Sequence, residues 1–324
     1  MAGKFVKPVN AFLSGKSFLL SSLRGTPFMA GMPAGISFEL TNHCNLNCPE
    51  CASGSGEMKR KRGFMDIDLF KRVISELKPN LFYINLYFQG EPMLHPLFFS
   101  FPEHTGKVYT VVSTNGHYLT PENSVRLVRS GIGKLIVSLD GMDQEVYSLY
   151  RVSGDFEKVT DGIRNITEAR RNSGSSMNFE IQFLVNKFNE HQIPMVKNFA
   201  RESGASLSLK SMQVLSEEDR GQWIPSIKKY RRYENVNGIH VIKNRMPNRC
   251  FRLWFNPVIT WDGKVIPCCF DKDAEYIMGD LNNDSFRSIW NGTRYNEFRK
   301  RLLTGRSSID ICTNCTSGLR GVRY

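Results

Sequence analysis

The sequence predicts an α/β fold: an open, partial TIM-like (β/α)6 barrel followed by a small cysteine-rich module. Three observations lead there. Between residues 36 and 214 short β-rich runs alternate with amphipathic helical patterns, as in a parallel sheet with crossover helices. The polar motifs of that stretch fall at the carboxyl ends of the strands, where such folds bind ligands. After Ser216 the alternation stops, and residues 250–315 carry five of the eight cysteines.

The elements follow in order. Ile36 to Leu40 is a short apolar run leading into the first cysteines. Asp66 is the N-cap of a helix whose apolar residues Leu69, Phe70, Val73, Ile74 and Leu77 recur at helical spacing. Leu81 to Phe88 and Val108 to Val112 read as strands. Thr120-Pro121 starts a helix, with a capping hydroxyl and then proline in the first turn, and Gly131 ends it. Lys134 to Leu139 is a strand, and Asp155 caps a long helix carrying Phe156, Val159, Ile163 and Ile166. Phe179 to Val185 is a strand, Pro194 to Glu202 a helix, and Leu207 to Val214 a weaker strand. Right-handed crossovers would curl about six such units into an open barrel. The expected organisation is an N-terminal extension (1–35), a core barrel (36–215), a polar, basic linker (216–235) and a metal-stapled module (236–324). The last is too small to build much core of its own. Its helical patterns lie around Phe286 to Trp290 and Tyr295 to Leu303.

Of the 324 residues, 41% are hydrophobic and 23% charged, which excludes disorder over the whole chain. The net charge of +12 favours anionic partners: nucleic acid, acidic peptide, phosphorylated small molecule or membrane surface. The sharpest run, Lys59-Arg60-Lys61-Arg62, is either a solvated loop or an anion-contacting one. The apolar stretch from Ala11 to Met32 is interrupted by Lys16, Arg24 and several Gly, Ser and Pro residues. It reaches neither the length of a membrane span nor the pattern of a signal peptide. It reads as an extension that packs on the domain, with weak membrane contact as the outside alternative; the expected location is cytoplasmic.

The cysteines are Cys44, Cys48, Cys51, Cys250, Cys268, Cys269, Cys312 and Cys315. Neighbours this close cannot readily bridge one another, and clustered thiols in a reducing compartment bind metal. Cys44, Cys48 and Cys51 place three thiolates in eight residues, enough for three corners of an iron–sulfur cube. Structural zinc wants four protein ligands, and His43, adjacent to Cys44 on the chain, is poorly placed as the fourth. Three cysteines would leave one iron open to a bidentate amino acid.

The spacing C-x-x-x-C-x-x-C after a first strand resembles the radical S-adenosylmethionine (SAM) superfamily. The resemblance implies reductive cleavage of SAM at a 4Fe–4S cluster and hydrogen abstraction by a 5′-deoxyadenosyl radical. One departure is Glu50, where the family usually has an aromatic residue; it alters the contact near the adenine. Three further elements follow in the family's order over residues 36 to 214. Gln89-Gly90-Glu91-Pro92 is similar to its G-G-E-P turn, which would receive the SAM ammonium. Ser113-Thr114-Asn115-Gly116 is similar to its T-N-G element. Ser138-Leu139-Asp140-Gly141 precedes Tyr150-Arg151. The resemblance makes Gln89, Gly90, Glu91, Ser113, Asn115, Ser138 and Arg151 candidate SAM contacts, Ser138 for the ribose and Arg151 for the carboxylate. A guanidinium suits a carboxylate because it donates two parallel bonds.

The second cysteine group, with its Gly263 to Cys268 step after the Trp261-Asp262-Gly263 turn, resembles the SPASM and twitch domains. These carry auxiliary 4Fe–4S clusters. The full SPASM pattern needs more cysteines than the five present here. One auxiliary cluster would take Cys250, Cys268, Cys312 and Cys315 and leave Cys269 spare; spacing alone also admits a four-cysteine zinc ribbon. Four thiolates leave no open iron, which suits electron transfer. Asp271 and Asp273 follow the paired cysteines; Asp271 is a weak candidate proton acceptor, against an ordinary turn, and the catalytic residues are otherwise unknown. The reading is thus an oxidoreductase or maturase with two 4Fe–4S clusters and SAM. It would act on a peptide or a sugar- or aminocyclitol-like molecule, supplied with electrons by a donor such as flavodoxin or ferredoxin. The alternatives are RNA modification, suggested by the charge but lacking an RNA-binding module, and a non-catalytic zinc protein.

Overall fold

A computed structural model describes residues 5–243 and 246–315; the outer ends of the first and last predicted segments, 1–4 and 316–324, lie outside them. In chain order the elements begin with α1 (Val6–Arg24), β1 (Gly35–Phe38), α2 (Ile67–Leu77), β2 (Tyr83–Asn85), α3 (Ser100–Thr105) and β3 (Tyr109–Thr114). There follow α4 (Pro121–Arg129), β4 (Lys134–Ser138), α5 (Gln144–Tyr150), α6 (Phe156–Ser173), β5 (Asn178–Val185), α7 (Ile193–Glu202) and β6 (Ser206–Ser211). The remainder holds α8 (Arg220–Trp223), β7 (Tyr233–Val236), β8 (Ile239–Ile242), α9 (Arg252–Phe255), β9 (Val258–Ile259), β10 (Lys264–Ile266) and β11 (Gly279–Asp280). It closes with α10 (Phe286–Asn291), α11 (Thr293–Gly305) and α12 (Asp310–Thr313).

The predicted caps form. Asp66 accepts from the N–H groups of Asp68 and Leu69, and the five predicted apolar residues are the buried face of α2. Thr120 accepts from Asn123 N–H at the start of α4, and Asp155 from Lys158 N–H at the start of α6. The predicted strand 81–88 contracts to three residues, because β1 offers partners only at Gly35, Ile36 and Ser37. Sequence reading missed α5, whose N-cap Asp143 accepts from Val146 N–H.

The chain divides into two compact units. The first holds 5–43, 58–110 and 246–315 of the described residues. Here β2 and β9 both pair parallel with β1, while β10 runs antiparallel to β9 and to β11. The C-terminal segment therefore extends the ladder of the first strand instead of standing apart: Ser37 N–H donates to Pro257 O and Glu39 N–H to Ile259 O. Edge-on contacts from Phe38 to Phe70 and from Phe70 to Phe101 form part of its core. The N-terminal extension is helical and is tied to residues 28–32 of the same unit.

The second unit holds 44–57 and 111–243. Its strands β3, β4, β5 and β6 pair parallel in sequence order. Residues 216–235, expected as a linker, are folded into α8 and the first strand of the antiparallel hairpin β7–β8, with Trp223 and Tyr233 buried. The expected boundary at 236 falls inside that hairpin. Among the described residues no helix is long and apolar enough to cross a membrane.

Candidate functional site

The first cysteine loop belongs to the second unit. Cys48 is buried and joins Leu46, Tyr150, Met212, Val214, Trp223 and Tyr233 in one apolar cluster, against which the half-buried Cys44 and Cys51 also pack. Two aromatic members of this surround come from the expected linker. Trp223 meets Tyr150 edge-on, and the Tyr233 hydroxyl accepts from Val214 N–H. The loop is turned tightly, with Cys51 N–H donating to Cys48 O and Gly54 N–H to Cys51 O. It is pinned to the chain after α5 by Asn47, whose N–H donates to Val152 O and whose Nδ2 donates to Ser153 Oγ.

Arg151 stands over this loop. Its Nε donates to Asp140 Oδ2 at 2.6 Å, its Nη2 lies 2.6 Å from the same oxygen, and its Nη1 is 3.8 Å from Cys48 Sγ. Asp140 is wholly enclosed and its other oxygen accepts from Leu184 N–H. The predicted site residue is therefore a half-buried cation already paired with a carboxylate. Burial pushes the Cys48 thiol up, while Arg151 pulls it down. Asp140 stood in a quoted motif, yet nothing in the sequence assigned it a partner.

Asn115 is placed by the turn after β3. Its Nδ2 donates to Asn45 Oδ1 at 2.8 Å, and its Oδ1 accepts from the backbone N–H of His117. His117 Nε2 accepts from Asp155 N–H, which leaves its Nδ1–H to donate to Asn115 Oδ1. A neutral histidine thus orients the amide that holds the residue after Cys44. Sequence reading missed His117, although it lies two residues past Asn115. Ser113 is half-buried in β3, paired with Ile136; Ser138 is buried at the end of β4, paired with Gln182.

The Gln89-Gly90-Glu91 turn lies in the first unit. Gly90 has φ +76°, and a β-carbon there would come within 2.6 Å of the Thr41 and His43 carbonyl oxygens, so only glycine fits. Glu91 N–H donates to His43 O. Gln89 and Glu91 are buried, and Glu91 caps its own short turn by accepting from Met93 N–H.

The second cysteine group also belongs to the first unit. Cys312 and Cys315 are buried; Cys250, Cys268 and Cys269 are half-buried. Burial pushes the Cys268 thiol well up, reinforced by Cys269, Cys315 and Cys250 within electrostatic reach. Cys269 packs beside Val258, Ile266 and Ala274. Two arginines that the sequence did not flag surround the group. Arg306 is buried, with Nη2 3.4 Å from Cys315 Sγ and Nη1 donating to Arg249 O. Arg252 is held protonated chiefly by Cys269, with Cys268 and Cys250 adding. Arg252 lies two residues after Cys250, a detectable signal; Arg306 carries none. Asp271 is enclosed and its two oxygens accept from Glu275 and Tyr276 N–H, closing its own loop. Burial pushes its carboxyl up to about 6.

Two residues of the basic run are engaged by carboxylates, while Lys59, Lys61 and Arg62 are exposed. Arg60 makes a bidentate pair with the enclosed Glu39, at 2.8 and 2.6 Å, and its Nε donates to Lys272 O. Lys59 reaches Glu275 with its ammonium and Asp273 with its N–H. Glu50, at the expected aromatic position, is buried and accepts from Leu215 N–H at 2.6 Å.

Comparison with known proteins matches residues 38–199 to the radical SAM superfamily and 250–316 to SPASM, an iron–sulfur cluster-binding domain. The chain belongs to the radical SAM superfamily. SAM and a 4Fe–4S cluster are accordingly its cofactors, and its C-terminal segment binds iron–sulfur, which overturns the zinc alternative. Mycofactocin maturase MftC of Mycobacterium tuberculosis is 30% identical over 184 residues, 56% of this chain and 45% of that protein; the match thus spans about half of that relative's length. The S-adenosyl-L-methionine-dependent 2-deoxy-scyllo-inosamine dehydrogenase of Niallia circulans is 23% identical over 289 residues, covering 87% of this chain and 92% of the other. The crystal structure of BtrN with AdoMet and 2-DOIA shares the fold, with TM-score 0.56, 20% identity and coverage of 90% and 95%. This radical SAM protein therefore has the α/β architecture its sequence predicts.

Proposed function

We propose that this protein oxidises or matures a peptide or a small aminocyclitol-like molecule, with Cys44, Cys48 and Cys51 holding the SAM-binding cluster. The observation that carries the reading is the apolar loop of three thiols with one arginine, Arg151, 3.8 Å from Cys48 Sγ. Soft thiolates suit iron–sulfur, and the local donor set stops at three. When bound, cluster and SAM together supply a 5′-deoxyadenosyl radical that takes hydrogen from a substrate carbon. The chain's own residues orient and shield. Trp223, Tyr150 and Tyr233 keep water from the loop. Arg151 spends one Nε–H and one Nη2–H on Asp140 and directs Nη1 at Cys48. Two of its five N–H donors remain for the SAM carboxylate. Ser138 would meet the ribose, and Gln89, Gly90, Glu91 and Ser113 other parts of SAM, while Asn115 acts as a positioning residue through Asn45.

In this reading Cys250, Cys268, Cys312 and Cys315 would hold one auxiliary 4Fe–4S cluster, with Cys269 spare, which would supply a one-electron acceptor for a substrate radical. A flavodoxin- or ferredoxin-like donor would supply the electron for the first cluster. RNA as substrate is less well supported, since Lys59 and Arg60 of the basic run are engaged in ion pairs. The test is anaerobic reconstitution and turnover with SAM and dithionite. The expected result is about eight irons per chain and reductant-dependent 5′-deoxyadenosine. A fully loaded protein that releases none of this nucleoside sinks the proposal.

A further inference from the structure

α1 is built inside out. Its buried residues are Asn10, Ser14, Ser17 and Ser21, a polar stripe at positions i, i+4, i+7 and i+11. They are bonded to one extended segment. Asn10 exchanges two hydrogen bonds with Met32, Ser14 donates to Met32 O, Ser17 accepts from Ala30 N–H, and Ser21 accepts from Phe28 N–H. Gly31 permits this approach, since a β-carbon there would lie 2.3 Å from Ser14 Oγ. The opposite face carries Phe5, Val9, Phe12, Leu19 and Leu23 at alternating steps of three and four residues, with Lys16 in the middle. Phe5 and Phe12 are each 70% exposed and Leu23 74%. A surface helix of a globular protein does the reverse, facing its apolar stripe to the core, and a contiguous exposed apolar stripe marks an interaction surface.

The charge decides the occupant. The helix Val6–Arg24 contains Lys7, Lys16 and Arg24 and no acidic residue, within a chain of net charge +12. We propose that this face docks α1 flat on an anionic lipid surface. Lys16 would lie unpaired on the seam between two copies of α1, since the helix offers no carboxylate to meet it. At a lipid surface it can lay its methylenes along the apolar layer and keep its ammonium among the headgroups. The helix is about 28 Å long, but its serine face and central lysine suit it to lie in the interface and not to cross it.

The test is flotation of the full-length, cluster-loaded protein with vesicles of equimolar phosphatidylglycerol and phosphatidylcholine, against pure phosphatidylcholine. The expected result is about tenfold stronger partitioning onto the anionic vesicles, weakening as salt rises. The F12D/L19D double variant changes only exposed side chains; it should keep its iron content and melting temperature and lose the partitioning. K16E should lose part of it. Equal indifference of the wild type to both vesicles overturns the proposal, as does undiminished flotation of F12D/L19D. A wild-type dimer that F12D/L19D converts to a monomer, with no vesicle binding, assigns the face to a second copy and overturns it too.

Discussion

The two cysteine regions carry opposite electrostatic designs. The first has three thiols under an apolar roof, and its one nearby guanidinium, Arg151, is neutralised by Asp140. The second has Arg306 and Arg252 beside its thiols, and neither forms a carboxylate ion pair among the described residues. Uncompensated positive charge favours the more reduced, more negative state of a cluster, since hydrogen bonds and charge around the sulfurs set its potential. Under the proposed function, this difference would suit the first region to give an electron and the second to take one.

The largest expected effect separates the two regions outright. Cys48→Ala should abolish 5′-deoxyadenosine formation, at least about a hundredfold in rate. Cys268→Ala should retain SAM cleavage but lose the oxidised product. If both variants lose cleavage alike, the division of labour is broken. A smaller effect sharpens it: Arg306→Gln should lower the potential of the auxiliary cluster by about 60 mV, the one-electron equivalent of about 1.4 kcal/mol. Redox titration followed by electron paramagnetic resonance reads this, with the first cluster unmoved. The smallest concerns the scaffold. His95 and His117 both have their imidazole pKa lowered below the usual 6.5 by burial. Each is locked neutral: His95 Nδ1 accepts from Leu97 N–H and its Nε2 faces Met65 O, and His117 Nε2 accepts from Asp155 N–H. Their stabilisation is present above pH 6.5 and is lost as pH falls through the depressed values. Urea unfolding of the apoprotein should show stability falling with a slope approaching about 1.4 kcal/mol per pH unit for each histidine. Replacing His117 with Gln should remove one share of that slope.

Much of this was legible in the sequence because it was periodic or local. The caps Asp66, Thr120 and Asp155 announce their helices within four residues, and each motif lies on consecutive residues. What escaped joins distant chain positions. Nothing in the text of the sequence pairs Arg60 with Glu39, Glu50 with Leu215 or Arg306 with Cys315. The stretch 216–235 was polar enough to read as a linker, yet two of its three aromatics, Trp223 and Tyr233, fold it over the first cysteine loop. The extension does pack on its unit as expected, with Phe18 edge-on to Phe251 and Trp254, but what the sequence did not reveal is that its buried residues are Asn10 and three serines.

The parallel pairing of Ser37 with Val258 carries a cost during synthesis. β1 can find β2 within some fifty residues of leaving the ribosome. Its other edge must wait until more than two hundred residues after β1 have been made, roughly 10–40 s of translation at the usual rates. An unpaired strand edge in a nascent chain recruits other strands. Overexpression at high temperature should therefore drive the polypeptide into inclusion bodies, and slowing elongation or supplying chaperones should rescue it.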